Sequence, residues 1–260
     1  MLVIPGLNGD PGLLLAAAPR LFPGMRPLAF AHRLDLAERG VEGLAEQALA
    51  VLDADPDGDA PAYVCGESFG GTVALTLAHR HPERVRGLLL LSTFGRYPAL
   101  PAYGGAAGLA LWRMLGARAG GQAFRAGRLF AVPGQLGFRF PREVARAYLS
   151  LPAAHPPAYR AKCELALRFD ARPWLGSITC PTLVLIGSWD PVVPPSAGRE
   201  LARLLPNARL HRLTGGHLVH LVHAAEAGQL IASWAAEGAG QAPGLAAPPD
   251  RARPAPCAPG

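Results

Sequence analysis

The sequence predicts an α/β protein with a mostly parallel sheet and helices on both faces of that sheet. Short apolar runs alternate with segments of helical periodicity, which is the pattern of repeated βαβ units. At least one run, Val85–Leu91, is too apolar to alternate between a buried and a solvated face, as a strand inside a parallel sheet requires. The chain has 260 residues, half of them hydrophobic, which is enough for one large domain with a substantial core.

Six strands and three helices are predicted in chain order. The strands are apolar runs bounded by Gly, Pro or Asp, and they are expected at Met1–Ile4, Pro27–Ala31, Ala62–Cys65, Val85–Leu91, Thr182–Ile186 and Arg209–Leu213. The helices are expected where apolar residues recur every three to four positions, at Val41–Leu52, Thr72–Arg80 and Val219–Ala236.

The pattern divides the chain into a core, an insertion and a tail. Strand-like runs disappear between residues 94 and 173, where helical segments are separated by Gly and Pro, so we predict a helical lid there. The core then comprises residues 1–93 and 174–237. Residues 238–260 are rich in Pro, Gly and Ala, and this composition predicts a disordered tail.

Composition excludes several classes of protein. The net charge is +6, but the basic residues are dispersed and Lys162 is the only lysine, so nucleic-acid binding is not predicted. No apolar run approaches the roughly 18–20 residues that span a bilayer, and the short run Leu13–Ala18 lacks the basic start of a signal peptide. The four cysteines are scattered, which fits a reducing compartment and predicts a cytoplasmic protein.

The motif Gly66-Glu67-Ser68-Phe69-Gly70 lies between a predicted strand and a predicted helix. This is the setting of a nucleophile elbow, a sharp turn that exposes a serine hydroxyl and needs glycines where side chains would collide. The chain contains 31 glycines, so chance alone yields about 0.1 such motifs, and the strand–turn–helix context strengthens the match. Ser68 is the predicted nucleophile, and the Glu67 side chain is expected to face solvent.

Candidates for an acid and a base follow Ser68 in the order serine, acid, histidine. Asp190 follows the strand Thr182–Ile186, at the edge of the sheet where such sites gather, although an Asp before Pro also forms turns. His217 lies in a Gly-rich turn after the last strand and is the preferred base, with His220 in reserve.

His217, His220 and His223 are spaced by three residues, which could also present metal ligands on one helical face. Apolar residues fill the positions between them, and no second group of Cys, Asp or Glu is evident nearby. Neither a metal nor a cofactor is therefore predicted.

Acyl chemistry also needs two N–H donors for a developing oxyanion. The amide of Phe69 is one candidate, because it follows the nucleophile and opens a helix. The other is expected in the Gly-rich loop after the first strand, at Leu7.

Together these segments resemble the α/β-hydrolase superfamily over about Met1–Trp234. The stretches VIPGLNGDPG and CGESFGG look like those of a subset of bacterial hydrolases, and are similar to the hydrolase-like part of plant plastid acyltransferases that make phytyl esters. The resemblance implies a lid, and residues 94–173 match its position. Two features depart from the family pattern: its usual first two strands are missing, and its common His-Gly pair is Pro5-Gly6 here.

The predicted lid contains many bulky apolar residues, which fit either an acyl pocket or ordinary packing, with packing favoured. They are Tyr97, Tyr103, Leu109, Leu111, Trp112, Met114, Phe124, Phe130, Phe138 and Phe140. Four arginines there fit either an anionic substrate group or, as favoured, a solvated helix face. They are Arg113, Arg118, Arg125 and Arg128.

The sequence thus predicts a serine hydrolase that cleaves a carboxylic ester or thioester of a small-molecule acyl substrate through an acyl-enzyme intermediate. Acyl transfer to an alcohol is the alternative, since the same intermediate serves both reactions. A non-catalytic ligand receptor is the alternative from another class, because a fold alone does not establish activity. Neither the acyl group nor the oligomeric state can be inferred from the sequence.

Overall fold

A computed structural model describes residues 1–33, 39–56, 60–98, 156–190 and 192–240, with the backbone alone for 156–160, 239 and 240. Its centre is a six-stranded sheet in the order β2-β1-β3-β4-β5-β6, and every pair of neighbours is parallel. The strands are β1 Leu2–Ile4, β2 Leu28–Ala29, β3 Ala62–Glu67, β4 Val85–Leu91, β5 Thr182–Gly187 and β6 Ala208–Leu213. The predicted fold class is confirmed.

Seven α-helices are described along the same ranges. They are α1 Gly12–Leu21, α2 Gly40–Asp53, α3 Phe69–Arg80, α4 Pro156–Arg168, α5 Pro195–Leu204, α6 Val219–Val222 and α7 Ala224–Gly240. Side chains of α2, α3, α4 and α5 pack on one face of the sheet. Those of α1, α6 and α7 pack on the other, so that the sheet lies between two apolar layers.

Strand β4 shows why its sequence is almost wholly apolar. Successive side chains of a strand point to opposite faces, so Leu88 and Leu90 enter the first apolar layer while Leu89 and Leu91 enter the second. Its two neighbours, β3 and β5, cover both of its edges, and Leu89 is paired with Cys65 and Leu183. Apart from the exposed Arg86 near its start, the strand is buried on both faces, which leaves no face for polar residues.

Two helices were not predicted from the sequence. Helix α1 follows Pro11 and contains Pro19 near its end. These prolines interrupt the helical pattern of its apolar residues in the sequence. Helix α5 buries only a narrow side, formed by Ala197, Gly198 and Leu201. Its polar and apolar residues are nevertheless well separated around the helix, so the periodic signal was present in the sequence and was missed.

Most predicted boundaries shift by one to three residues, and three differences have an evident cause or consequence. The edge strand β2 keeps only Leu28–Ala29 of Pro27–Ala31, because it has a partner on one side alone. The predicted helix Val219–Ala236 is two helices, since His223 leaves helical geometry with φ −104° and ψ 40°. Helix α7 also continues to Gly240, beyond the predicted start of the tail at residue 238.

Much of the predicted lid and tail lies outside the described residues, namely 99–155 and 241–260. The ends of the predicted lid, residues 94–98 and 156–173, are described and reach each other through an antiparallel bridge between Arg96 and Asp170. Across the described ranges, no helix combines the length and the apolar character needed to cross a membrane.

Candidate active site

Ser68 occupies a strained turn between β3 and α3. Its φ of 52° and ψ of −121° are unusual for a residue with a side chain, a conformation that costs about 1–3 kcal/mol unless neighbours enforce it. The neighbours do so here. The Ser68 N–H donates to the Leu91 carbonyl over 2.8 Å. The Ser68 carbonyl accepts hydrogen bonds from the Thr93 hydroxyl at 2.5 Å and the Gly71 amide at 3.0 Å.

The glycines on either side of Ser68 are required by close backbone contacts. A Cβ added at Gly66 would lie 2.6 Å from the Gly71 Cα. A Cβ at Gly70 would collide with the carbonyl oxygens of Ile4 and Pro5. The motif therefore brings β3, α3 and the loop after β1 together at distances that only glycine permits.

Ser68, His217 and Asp190 form one hydrogen-bonded chain. The Ser68 Oγ lies 3.0 Å from His217 Nε2, and His217 Nδ1 lies 2.7 Å from Asp190 Oδ2. An ionised carboxylate only accepts hydrogen bonds, so the proton of the neutral ring is assigned to Nδ1 and Nε2 is left to accept from Ser68. The three residues follow β3, β5 and β6, whose carboxyl ends meet at one edge of the sheet.

Asp190 is fixed on its other oxygen as well. The amides of Val192 and Val193 donate to Asp190 Oδ1 over 2.7 and 2.9 Å. The carboxylate is buried. Three donors in fixed positions hold its charge beside the imidazole, and orient the ring toward Ser68.

The surroundings favour a protonated His217. Burial opposes the imidazolium, but the charge of Asp190, its hydrogen bond and the more distant Glu67 carboxylate together raise the His217 pKa above its usual value of 6.5. A raised pKa makes the imidazole a better proton acceptor, which is what a general base needs near neutral pH.

Leu7 and Phe69, whose role as oxyanion donors stays a prediction, share a cavity with Ser68. Both line the cavity that contains Ser68. Phe69 is the first residue of α3, so its N–H has no acceptor within the helix. Within the described ranges no acceptor is found for either amide, and both remain available to a ligand.

The cavity beside Ser68 is apolar. It is lined by Leu7, Ser68, Phe69, Phe94, Tyr97, Ala166, Leu167, Val192 and Val193. Tyr97 belongs to the bulky residues singled out in the predicted lid, and its hydroxyl donates to the Val192 carbonyl over 2.7 Å. The other nine of those residues, and all four arginines considered with them, lie outside the described residues.

The expectation that Glu67 faces solvent is wrong. Its side chain turns inward, is 2% exposed, and accepts a hydrogen bond from the Gly6 amide at 3.0 Å. Burial raises the Glu67 pKa, and the nearby His217 and the Gly6 hydrogen bond oppose that rise. No pattern in the sequence indicates this contact, because it joins residues 61 positions apart.

The other two histidines of the spaced set do not reach Ser68. His220 is fully buried, and burial followed by the charge of His217 lowers its pKa to about 3. His223 instead faces Glu226, with Nδ1 3.6 Å from a carboxylate oxygen. Within the described ranges, no three His, Cys, Asp or Glu side chains are grouped so that they could hold a metal ion.

Comparison with known proteins gives concordant results. The family model described as the alpha/beta hydrolase fold matches residues 41–224. A pimeloyl-[acyl-carrier protein] methyl ester esterase of Neisseria meningitidis serogroup B, strain H44/76, is 35% identical over 196 residues, covering 72% of this chain and 69% of that protein. A poly(3-hydroxyalkanoate) depolymerase of Ectopseudomonas oleovorans is 32% identical over 190 residues, covering 73% and 65% respectively.

Solved structures agree on the architecture. The enol-lactonase from Burkholderia xenovorans LB400 superposes with a TM-score of 0.75 at 23% identity, with 90% of each chain covered. At that level of identity the likeness supports the fold alone. With the family match over residues 41–224 and the similarity to the two bacterial relatives, the chain belongs to the α/β-hydrolase fold family.

Proposed function

We propose that the protein cleaves carboxylic esters or thioesters through an acyl-enzyme formed on Ser68, with His217 as general base and Asp190 as the carboxylate that orients it. The observation that carries the proposal is the chain of two hydrogen bonds from Ser68 through His217 to Asp190. Ester cleavage is the reaction named for relatives that include a methyl ester esterase and a depolymerase. The prediction of an ester-cleaving hydrolase is thereby confirmed, whereas the residue roles remain our proposal.

In the first half of the reaction, Ser68 Oγ attacks the carbonyl carbon while His217 Nε2 takes its proton. The tetrahedral intermediate then collapses, the bond to the alcohol or thiol breaks, and the imidazolium gives its proton to that leaving group. In the second half, water attacks the acyl-enzyme as His217 accepts its proton. The acid departs, and the proton returns to Ser68 Oγ.

Charge develops on the carbonyl oxygen in both halves, and we assign its stabilisation to the amides of Leu7 and Phe69. The available N–H of Phe69 lies at the start of α3, where the helix dipole adds a partial positive charge. Donors that are already in place need no reorganisation during the reaction, and removal of one such donor typically costs about 10²–10³ in kcat.

The predicted lid, residues 94–173, remains part of the proposal. Phe94 and Tyr97 from its beginning and Ala166 and Leu167 from its end line the cavity beside Ser68. A lid there would exclude water and present an apolar wall to the acyl group.

We also propose that the protein is cytoplasmic. Its substrate is a small-molecule acyl compound, and it does not bind nucleic acid. The scattered cysteines and the dispersed arginines support both statements.

An ester series with and without an alcohol acceptor tests the type of reaction. The proteins measured are the wild type and Ser68→Ala, with Ser92→Ala as the matched control. Ser92 is a buried serine after the neighbouring strand, and its hydroxyl has no hydrogen-bond partner in the described ranges. We expect acid release that Ser68→Ala abolishes and Ser92→Ala retains. Ester formation in place of acid release would identify an acyltransferase, and binding without turnover would identify a receptor.

A further inference from the structure

Lys162, the only lysine of the chain, is buried on α4. Its exposed fraction is 2%, and within the described ranges no carboxylate lies at ion-pair distance from its ammonium group. Buried ammonium groups are normally paired with an acid, because removal of the charge from water is unfavourable. Lys162 therefore stands out as a charge whose partner is not provided by the described protein.

His32 is a second buried polar side chain, and its backbone N–H donates to the Gly9 carbonyl in the loop after β1. It is 7% exposed, its ring contacts Phe30 and Phe69 edge to face, and within the described ranges neither ring nitrogen makes a well-formed hydrogen bond, with the Pro5 backbone as its nearest polar neighbour. Burial, followed by the charge of Lys162, lowers the His32 pKa well below 6.5.

The two side chains converge on Gly9, in the loop that carries the proposed oxyanion donor Leu7. A Cβ added at Gly9 would lie 2.8 Å from Lys162 Nζ and 3.1 Å from His32 Cβ. Gly9 itself has a φ of 78°, which suits glycine. The ammonium group and the imidazole thus both approach the point where a residue other than glycine would place its Cβ.

This position is connected to the cavity beside Ser68 through neighbouring residues, although none of Gly9, Lys162 and His32 lines that cavity. Lys162 precedes the cavity-lining Ala166 by one helical turn, so both lie on the same side of α4. Phe69 lines the cavity and also contacts the His32 ring. A substrate held at Ser68 would therefore have a charged neighbour close to an otherwise apolar wall.

We propose that Lys162 and His32 form a binding site for an anionic group, a carboxylate or phosphate, of the ester that is cleaved at Ser68. Lysine supplies a compact positive charge and histidine an N–H donor, the two features that bind such oxygens. The anion would provide the negative charge that none of the described residues places beside Lys162. This inference rests on the proposed function, since it specifies the substrate class of the same site.

Matched substrates that differ only in charge test the proposal. On the acyl side, these are the monomethyl and dimethyl esters of succinate, glutarate and adipate. On the alcohol side, they are 4-acetoxybenzoate and its methyl ester. The measured quantity is the ratio of kcat/KM for the anionic ester to that for the neutral ester. We expect the wild type to favour the anionic ester in one of the two series.

Lys162→Met keeps the length of the side chain and removes its charge, and we expect it to lower that ratio at least tenfold, mainly through KM. His32→Phe keeps the ring packing and is expected to lower the ratio less. The matched control is Arg168→Met, which removes an exposed charge from the same helix and should leave the ratio unchanged. A ratio that does not depend on Lys162 in either series would overturn the site.

A binding experiment separates failure of this site from failure of the proposed function. Isothermal titration of unreacted wild type and Lys162→Met with glutarate, 4-hydroxybenzoate and inorganic phosphate needs no turnover. Weaker binding by the variant supports the anion site even if no ester is cleaved. Turnover of neutral esters with no anion binding leaves the proposed function intact and contradicts the anion site.

Discussion

The residues around Ser68 and the residues around Gly9 differ in how their polar groups are paired. Around Ser68, the hydroxyl, both ring nitrogens of His217 and both oxygens of Asp190 have partners within the protein. Around Gly9, the described residues provide no well-formed hydrogen bond to the His32 ring and no acid for Lys162. The complete network is arranged for proton transfer, whereas the incomplete one is arranged for an anion from outside.

Removal of the general base His217 is expected to cause the largest loss of activity. His217→Ala deletes the one proton acceptor that the described residues place in contact with Ser68 Oγ, and we expect kcat/KM on neutral esters to fall at least about 10³-fold. His223→Ala, which removes a histidine paired with Glu226, is the control and should stay near wild type. Comparable losses in both variants would contradict the role of His217.

Asp190→Asn keeps the shape of the side chain but removes the charge that holds His217. We expect a loss of about 10²–10⁴-fold in kcat/KM, because the ring loses its enforced tautomer and its electrostatic support. The sign of the pH effect follows from the raised His217 pKa. Activity needs the neutral ring, so it falls as pH drops through that pKa, and the variant should lose activity only at lower pH.

A pH profile of kcat/KM measures this shift, with Asp170→Asn as the control. Asp170 is partly exposed and pairs with Arg172, away from the imidazole. An acidic limb that stays in place in Asp190→Asn would show that His217 is not the group that titrates.

Glu67→Gln is expected to reduce activity less than the changes at His217 and Asp190. The change removes the buried charge that helps to raise the His217 pKa, and it weakens the charge-assisted hydrogen bond to Gly6 in the oxyanion loop. We expect kcat to fall about three- to tenfold and the acidic limb to move to lower pH. Glu83→Gln changes an exposed carboxylate and should do neither. A lower kcat with an unmoved limb would restrict Glu67 to holding the loop.

Stability distinguishes the two regions in the opposite direction, because loss of the Lys162 charge should stabilise the fold. Burial lowers the Lys162 pKa from 10.5 to about 8, so the charged side chain destabilises the fold once pH falls through that range. Lys162→Met should relieve up to about 3 kcal/mol below pH 8, and the gain should shrink toward pH 10.5.

Thermal unfolding at pH 7 and pH 10 measures this gain as a rise in Tm of several degrees at the lower pH. Arg168→Met should leave Tm unchanged at both. A lower Tm for Lys162→Met at pH 7 would mean that the ammonium already has a stabilising partner.

Much of the fold was predictable because its signals are local. The buried strand Val85–Leu91 was placed residue for residue, and the turn at Ser68 is marked by glycines whose need is visible in the motif. The order of Ser68, Asp190 and His217 after three strands is also a pattern along the chain, and the edge of a parallel sheet brings such positions together.

What the sequence did not predict depends on contacts between distant residues. The inward turn of Glu67 requires the Gly6 amide to be in place, and the isolation of Lys162 follows from packing against Gly9, more than 150 positions earlier. A single lysine in a helix with few acidic neighbours resembles any solvated charge until its burial is known.

Mass spectrometry after labelling with a fluorophosphonate probe tests the central claim most directly. The account predicts one adduct on the peptide that contains Ser68, formed by the wild type and by Ser92→Ala and absent from Ser68→Ala. An unlabelled wild type, or an adduct that persists in Ser68→Ala, would contradict the assignment of Ser68 as the nucleophile.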